Sequence, residues 1–371
     1  MSGRDIQYWV GFSKVSGIGA SRLRALIDYF GDLETAWNAH SHDLQQAGLD
    51  RRSLENLIKA RAKLDLGAEV QRLARAGIQV LTWDDAEYPP NLSQIYNAPP
   101  VLYVRGDIET RDEWAVAVVG TRRASVYGKE AARMLATGLA QAGVTVVSGL
   151  ARGIDTVAHR SCLEAGGRTI AVLGSGLDVI YPRENTRLAA DIVQRGALMS
   201  EYPLGTRPEA RNFPPRNRII SGLTLGTVVV EAGQSSGALI TADFAAEHGR
   251  DVFAVPGSIF ARGSRGTNEL IEQGAKVVRD VADVLEELNL TMVSEQAQAR
   301  AIIPDNETEA LLLDHLSSEP VHVDYLGRAV DLPIAQVTST LALMELKGMV
   351  RQVGGMSYVL AREGGAEYVI D

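Results

Sequence analysis

Four segments carry the groups in this sequence that can grip a phosphate. They are Gly120-Thr121-Arg122-Arg123-Ala124-Ser125-Val126-Tyr127-Gly128, Ser148-Gly149-Leu150-Ala151-Arg152-Gly153-Ile154-Asp155, Arg211-Asn212-Phe213-Pro214-Pro215-Arg216-Asn217-Arg218, and 231–241, which contains Gln234-Ser235-Ser236-Gly237. Glycine lets backbone approach a ligand closely, Ser and Thr donate hydrogen bonds, and the arginine fork takes two phosphate oxygens at once. Each segment ends an apolar run or opens a helical stretch, where free N–H groups and the helix dipole favour an anion. Phe213 adds a flat face to the third. Arginine beside an aromatic ring holds single nucleic-acid strands, with stacking worth about 1–3 kcal/mol per base. The alternative is that Phe213 anchors its loop in the core while the arginines pair with Asp or Glu. Arg122, Arg152, Arg211, Arg216 and Arg218, all expected at one sheet edge, favour phosphate binding.

Nucleotide and catalytic motifs are not completed. A Walker loop has four residues between its first Gly and the Gly-Lys pair, whereas Gly120 and Gly128-Lys129 have seven, and Glu130 stands where a hydroxyl belongs. Gly174-Ser175-Gly176-Leu177-Asp178-Val179 begins like a dinucleotide fingerprint but ends in Val and follows the third strand of the expected sheet. Asp155 and His159, four apart on one helix, could form an acid–base couple; a helix-capping Asp and a packed or solvent-facing His explain them as well. Glu231 could serve a glycosidic hydrolase. No His falls among the loops to activate a serine, Cys162 is expected to pack inside a helix, and the six His show no metal spacing. No catalytic residue, metal or cofactor is expected.

The elements that would position these loops follow from apolar runs. Stretches 116–119, 145–148, 169–173, 198–201, 227–230, 252–255 and 276–278 are nearly continuous Val, Ile, Leu and Ala, each followed by Gly, Pro or polar residues and then a helical pattern. That is the signature of an α/β doubly wound, mostly parallel, Rossmann-like sheet, which binds ligands at the carboxyl ends of its strands. Residues 1–79 read as a small all-α domain, with Leu23, Leu26, Ile27 and Phe30 at helical spacing and Gly31 as a C-terminal cap. Ser16-Gly17-Ile18-Gly19 before that helix resembles a helix-hairpin-helix turn; a plain turn in a small bundle is the other reading. The Pro-rich stretch 80–114 reads as a connector lying against the sheet domain, which spans 80–290. Polar residues 291–306 read as a linker. Helices 307–316, 323–330 and 334–347 with a hairpin 350–360 turning at Gly354-Gly355 make a winged helix over 307–362, leaving a tail at 363–371.

Charge divides along the chain. The whole carries −9, but residues 115–280 hold 19 Lys/Arg against 15 Asp/Glu while 281–371 hold 5 against 15. A basic middle between acidic ends leaves nucleic acid open as a ligand. The acidic third helix of the winged part favours protein contact or autoregulation over groove reading. With 371 residues, two or three domains are expected. One Cys argues against a disulfide framework, and no leader or apolar span is evident, so a cytoplasmic, non-membrane protein is expected.

The stretches VVGTRRASVYG, SGLARGIDTVAHR, AVLGSGLDVIYPREN, SEYPLGTRPEARNFPPRNRIISGL, VVVEAGQSSGALITADFAAEHGRDVFAVPG and GTNELIEQGAK closely resemble the DNA-processing protein A family (DprA, also called Smf), in the same order over most of 80–280. The resemblance implies a non-enzymatic protein of natural transformation that binds and protects incoming single-stranded DNA, helps load the RecA recombinase, and dimerises through its Rossmann-like domain. It places a basic pocket at Gly120, Thr121, Arg122, Ser125, Arg152, Phe213, Arg216, Asn217 and Arg218, and more loosely at Gly149, Ser235, Ser236 and Gly237. Two other classes compete. A nucleoside-monophosphate phosphoribohydrolase would need a Pro-Gly-Gly-x-Gly-Thr-x-x-Glu signature that Val255-Pro256-Gly257-Ser258 lacks. A nucleotide-sensing scaffold would use the same pocket for a signalling ligand.

Overall fold

The computed structural model describes residues 6–290, 306–317, 320–346 and 349–360. Its contacts divide the chain into two compact units, Met1–Thr291 and Met292–Asp371. The expected linker up to 305 and the tail at 363–371 lie outside the described residues.

The first unit is built on a nine-stranded sheet: β1 Gln79–Thr82, β2 Val101–Gly106, β3 Ala115–Val119, β4 Thr145–Ser148, β5 Thr169–Val172, β6 Ala197–Ser200, β7 Gly226–Val229, β8 Asp251–Ala254 and β9 Lys276–Val277. Their order is β1-β2-β6-β5-β4-β3-β7-β8-β9. From β6 to β9 every pairing is parallel; β2 alone runs against the other strands, pairing antiparallel with both β1 and β6. All seven expected strands are present, with ends shifted by a residue or so. Strands β3 to β7 are buried throughout, as apolar runs covered on both faces must be.

The stretch 80–114 is more than a connector. Gln79–Thr82 and Val101–Gly106 pair with each other, and β2 pairs with β6, extending the sheet on that side. The prolines that suggested a loop fall between the two strands, where Pro90 opens the short helix Pro90–Ser93 and interrupts no ladder.

Six short helices precede β1: Ile6–Ser13, Ala20–Phe30, Leu33–Asn38, Ser41–Gln46, Arg51–Arg61 and Leu66–Arg75. Asp32, Asp50 and Asp65 cap three of them, each accepting a hydrogen bond from the backbone N–H three residues on. Gly31 ends its helix at φ 83°, as expected. In the turn before that helix, the Gly17 carbonyl accepts from Arg22 and Ser53, and the Ser16 carbonyl accepts from Asn56. The helices bury Tyr8, Phe12, Leu26 and Leu44 in one apolar cluster with Tyr103, Leu150, Leu173 and Leu198 of the sheet and its loops. The Tyr103 hydroxyl also meets Ser13 Oγ at 2.7 Å. A second cluster covers the other face through Ile219, Ile220, Ala238 and Ala242.

The second unit is a winged helix. Helices Glu307–Asp314, Val323–Ala329 and Ile334–Leu346 pack Leu312, Leu326, Val337, Leu341 and Met344 against Tyr358, with strands β10 Val321–His322, β11 Val350–Gln352 and β12 Ser357–Leu360 in the order β10-β12-β11. The wing turns at Gly354 and Gly355, both at positive φ.

Because Tyr103 lies in the core shared by sheet and helices, Tyr103→Ala should cost about 3–5 kcal/mol. Tryptophan fluorescence, to which Trp9 and Trp37 of the helices and Trp83 and Trp114 beside the sheet all contribute, should then melt in one transition with far-ultraviolet dichroism at the lowered midpoint.

Candidate nucleic-acid interface

Chain order reverses between β3 and β7. The connection from β3 leads to β4 on one side, whereas β7 continues to β8 on the other, so the loops that leave these neighbours diverge and open a crevice. The result is a cleft of about 770 Å³. Residues 120–123 form one wall, 233–241 the other, and the helix Phe213–Gly222 contributes Phe213, Arg216 and Asn217.

The walls are pinned by Glu231, which is buried at the end of β7. Its backbone carbonyl accepts from the Thr121 N–H at 2.7 Å, and its carboxylate accepts from both the N–H and the hydroxyl of Ser125 at 2.9 and 3.0 Å. Ser125 Oγ in turn accepts from the Gly128 N–H, capping the helix Val126–Gln141. A Cβ at Gly128 would lie 2.0 Å from the Glu231 carboxylate. This carboxylate is a clamp between loops.

The floor is cationic. Arg216 is 4% exposed and donates to the strand-end carbonyls of Gly149, at 2.9 Å, and Val172. Burial pulls its pKa down to about 10, with Asp155 opposing the fall and Arg122 adding to it. Asp155 accepts from the N–H groups of Gly149 and Ala151 at 3.1 and 3.2 Å. Burial raises its pKa, while Arg216 and these amides hold it back. Gly149 is required here because a Cβ would lie 2.6 Å from the guanidinium. Phe213, one turn before Arg216, sits under the Arg122 guanidinium, which lies 5.4 Å from the ring centroid. A Cβ at Gly174 would come within 2.9 Å of that ring, so this Gly-Ser-Gly run makes room for Phe213. Arg122 is exposed and has no ion-pair partner among the described residues.

Of the residues expected at the site, Gly120, Thr121, Arg122, Phe213, Arg216, Asn217, Ser235, Ser236 and Gly237 line the cleft. Gly149 and Arg152 line a smaller adjoining recess that shares Arg122, Phe213 and Arg216. Ser125 and Arg218 lie outside both linings. The Ser125 hydroxyl is committed to the cap and to Glu231. Arg218, two residues beyond Arg216, is about 200° round the helix and pairs with Glu201 at 2.6 Å. Arg211 and Arg152 are held by Glu209 and Glu184. The five arginines are therefore divided: one is free, one is buried, and three are in ion pairs. Tyr181, which lines both cavities, was missed; its signal was the Tyr-Pro step after the Gly-Ser-Gly run.

Asp155 and His159 do not form an acid–base couple, since each is hydrogen-bonded to a separate partner. Thr169 Oγ1 donates to the Val146 carbonyl, so His159 Nδ1–H donates to Thr169, at 2.7 Å. Cys162 is buried, its thiol facing the Arg168 carbonyl and pushed up to about 12 by burial. Among the described residues there is no metal-ligating cluster and no helix long and apolar enough to cross a membrane.

A doubly wound sheet with a basic, aromatic-lined cleft at its switch point, accompanied by a winged helix, defines a Rossmann-like protein suited to phosphate-bearing ligands. The chain belongs to the DNA recombination-mediator protein A family, which it matches over residues 79–289, with the DprA winged helix domain matched over 296–356. Protein Smf of Synechocystis is 36% identical over 96% of this chain and 99% of its own length. The structure of DNA processing protein A from Streptococcus pneumoniae superposes with a TM-score of 0.67 at 37% identity, covering 76% of this chain and 97% of that one. That of Helicobacter pylori, described for its single-stranded DNA binding mode, gives 0.51 at 32% identity, covering 57% and 95%.

His159 carries a pH signature. Burial lowers its pKa from 6.5 to about 3. Below pH 6.5 the unfolded chain takes up a proton that the folded chain refuses, so stability falls by up to about 1.4 kcal/mol per pH unit toward pH 3. His159→Gln should flatten this slope, measured as the difference in urea midpoint between pH 6.5 and pH 4.5 relative to wild type.

Proposed function

We propose that this chain is a single-stranded DNA-binding protein of natural transformation that shields incoming strands and loads the RecA recombinase onto them, acting as a homodimer through its Rossmann-like domain and without catalysis. The observation that carries the reading is Arg122, an exposed guanidinium without a carboxylate partner among the described residues, set over the Phe213 ring, which also meets the buried Arg216. Charge for the phosphate and an aromatic ring for the base thus occupy one cleft, which suits sequence-tolerant binding of single strands. The family membership and the single-strand binding mode described for the Helicobacter pylori relative support the same ligand. The non-enzymatic reading is supported by the candidate catalytic groups, since Glu231 is engaged by Ser125 and His159 is buried.

Fluorescence anisotropy of labelled poly-dT and its duplex, titrated across a salt series, tests this. Tight single-strand binding, weak duplex binding and a steep salt slope are expected. Arg122→Ala should weaken binding to all single-strand sequences alike and lower the salt slope by about 1. Phe213→Ala should cost about 1–3 kcal/mol. Unchanged affinity in Arg122→Ala at moderate salt would sink the assignment.

A further inference from the structure

We propose that the cleft continues into a second nucleotide subsite between Tyr181 and Arg152, and that Glu184 fills the phosphate position of this subsite until a strand displaces it. The proposal rests on the single-strand reading of the main cleft. The recess beside the cleft is small, about 40 Å³, and shares Arg122, Phe213 and Arg216 with it, so its open rim, and not its interior, lies beside a strand that leaves the cleft past Phe213. Tyr181 is 41% exposed, and its ring centroid lies 5.7 Å from that of Phe213 at an interplanar angle of 42°. Tyr181 thus sets a second, exposed ring beside Phe213 on which a further base can stack. On the recess rim Arg152 gives Nε and Nη2 to the two oxygens of Glu184 at 2.6 and 2.7 Å. That is the two-oxygen geometry by which a guanidinium takes a phosphate. Both partners are more than half exposed, so the pair is weak in water and open to exchange for another anion. The backbone beside Glu184 is anchored, because the buried Asn185 side chain donates to the Leu150 carbonyl and to Thr156 Oγ1. The carboxylate is thereby kept at the rim, as a built-in competitor for the phosphate.

Anisotropy with two dT oligonucleotides tests this, one long enough to fill only the main cleft and one several nucleotides longer. Glu184→Gln should bind the longer strand about two- to fivefold more tightly, the range expected from freeing an exposed ion pair. The gain must vanish in an Arg152→Ala background, because Glu184 acts through that guanidinium. Because Tyr181 also borders the main cleft, Tyr181→Ala should weaken the longer strand several-fold more than the shorter one. A gain that persists without Arg152 would mean only that a negative charge had been removed, and would overturn the subsite. So would a Glu184→Gln protein that binds as wild type while Arg122→Ala is weakened. Wild-type affinity in Arg122→Ala would overturn the main-cleft reading and this one together.

Discussion

Arg216 places a positive charge in a buried position, 4% exposed, at the floor of the cleft. Burying an ion costs roughly several kcal/mol unless its hydrogen bonds are met. Two strand-end carbonyls, those of Gly149 and Val172, meet them, and the buried Asp155 carboxylate offsets the charge. Asp155 is itself held by the amides of Gly149 and Ala151, so the turn after β4 serves both members of the pair. The same helix presents Phe213 one turn earlier, and Gly149 and Gly174 give up side chains so that guanidinium and ring can fit. The cleft therefore carries its positive potential before any ligand arrives, and little has to reorganise on binding.

The remaining arginines act by a different physics. Arg152 and Arg211 sit in exposed pairs that salt weakens and another anion can displace, whereas Arg122 is unpaired and meets solvent directly. A buried, hydrogen-bonded cation with exposed ones around it combines a permanent field with contacts that salt and other anions can exchange. A net charge of −9 does not prevent a locally positive cleft, since the field that a ligand meets is local.

Much of this architecture was legible in the sequence. Apolar runs gave the parallel strands because a strand covered on both faces has no polar alternation to obscure it, and the glycine wing and helix spacing gave the winged helix. Val101–Gly106 escaped because it joins the sheet antiparallel and leads to no crossover helix. The four loops were found from their residue types, yet the duties of those residues were not. Glu184, Glu201 and Glu209 are apart in sequence from some of the arginines they neutralise, so Arg218 looked available when it is not. Ser125 looked like a phosphate donor, but a long-range contact with Glu231 takes its hydroxyl. Several glycines that suggested close ligand approach instead make room for Arg216, Phe213 and Glu231, a packing demand that no local pattern announces.

The lone cysteine has a practical consequence. Cys162 is sealed inside the helix Ile154–Glu164 with its thiol turned toward a carbonyl and too basic to ionise at neutral pH. The folded chain is thus silent toward maleimides as it stands. A cysteine introduced on the exposed rim, at Ser235 for example, would be the single reactive thiol, and a dye attached there would follow occupancy of the cleft without first having to delete a native residue.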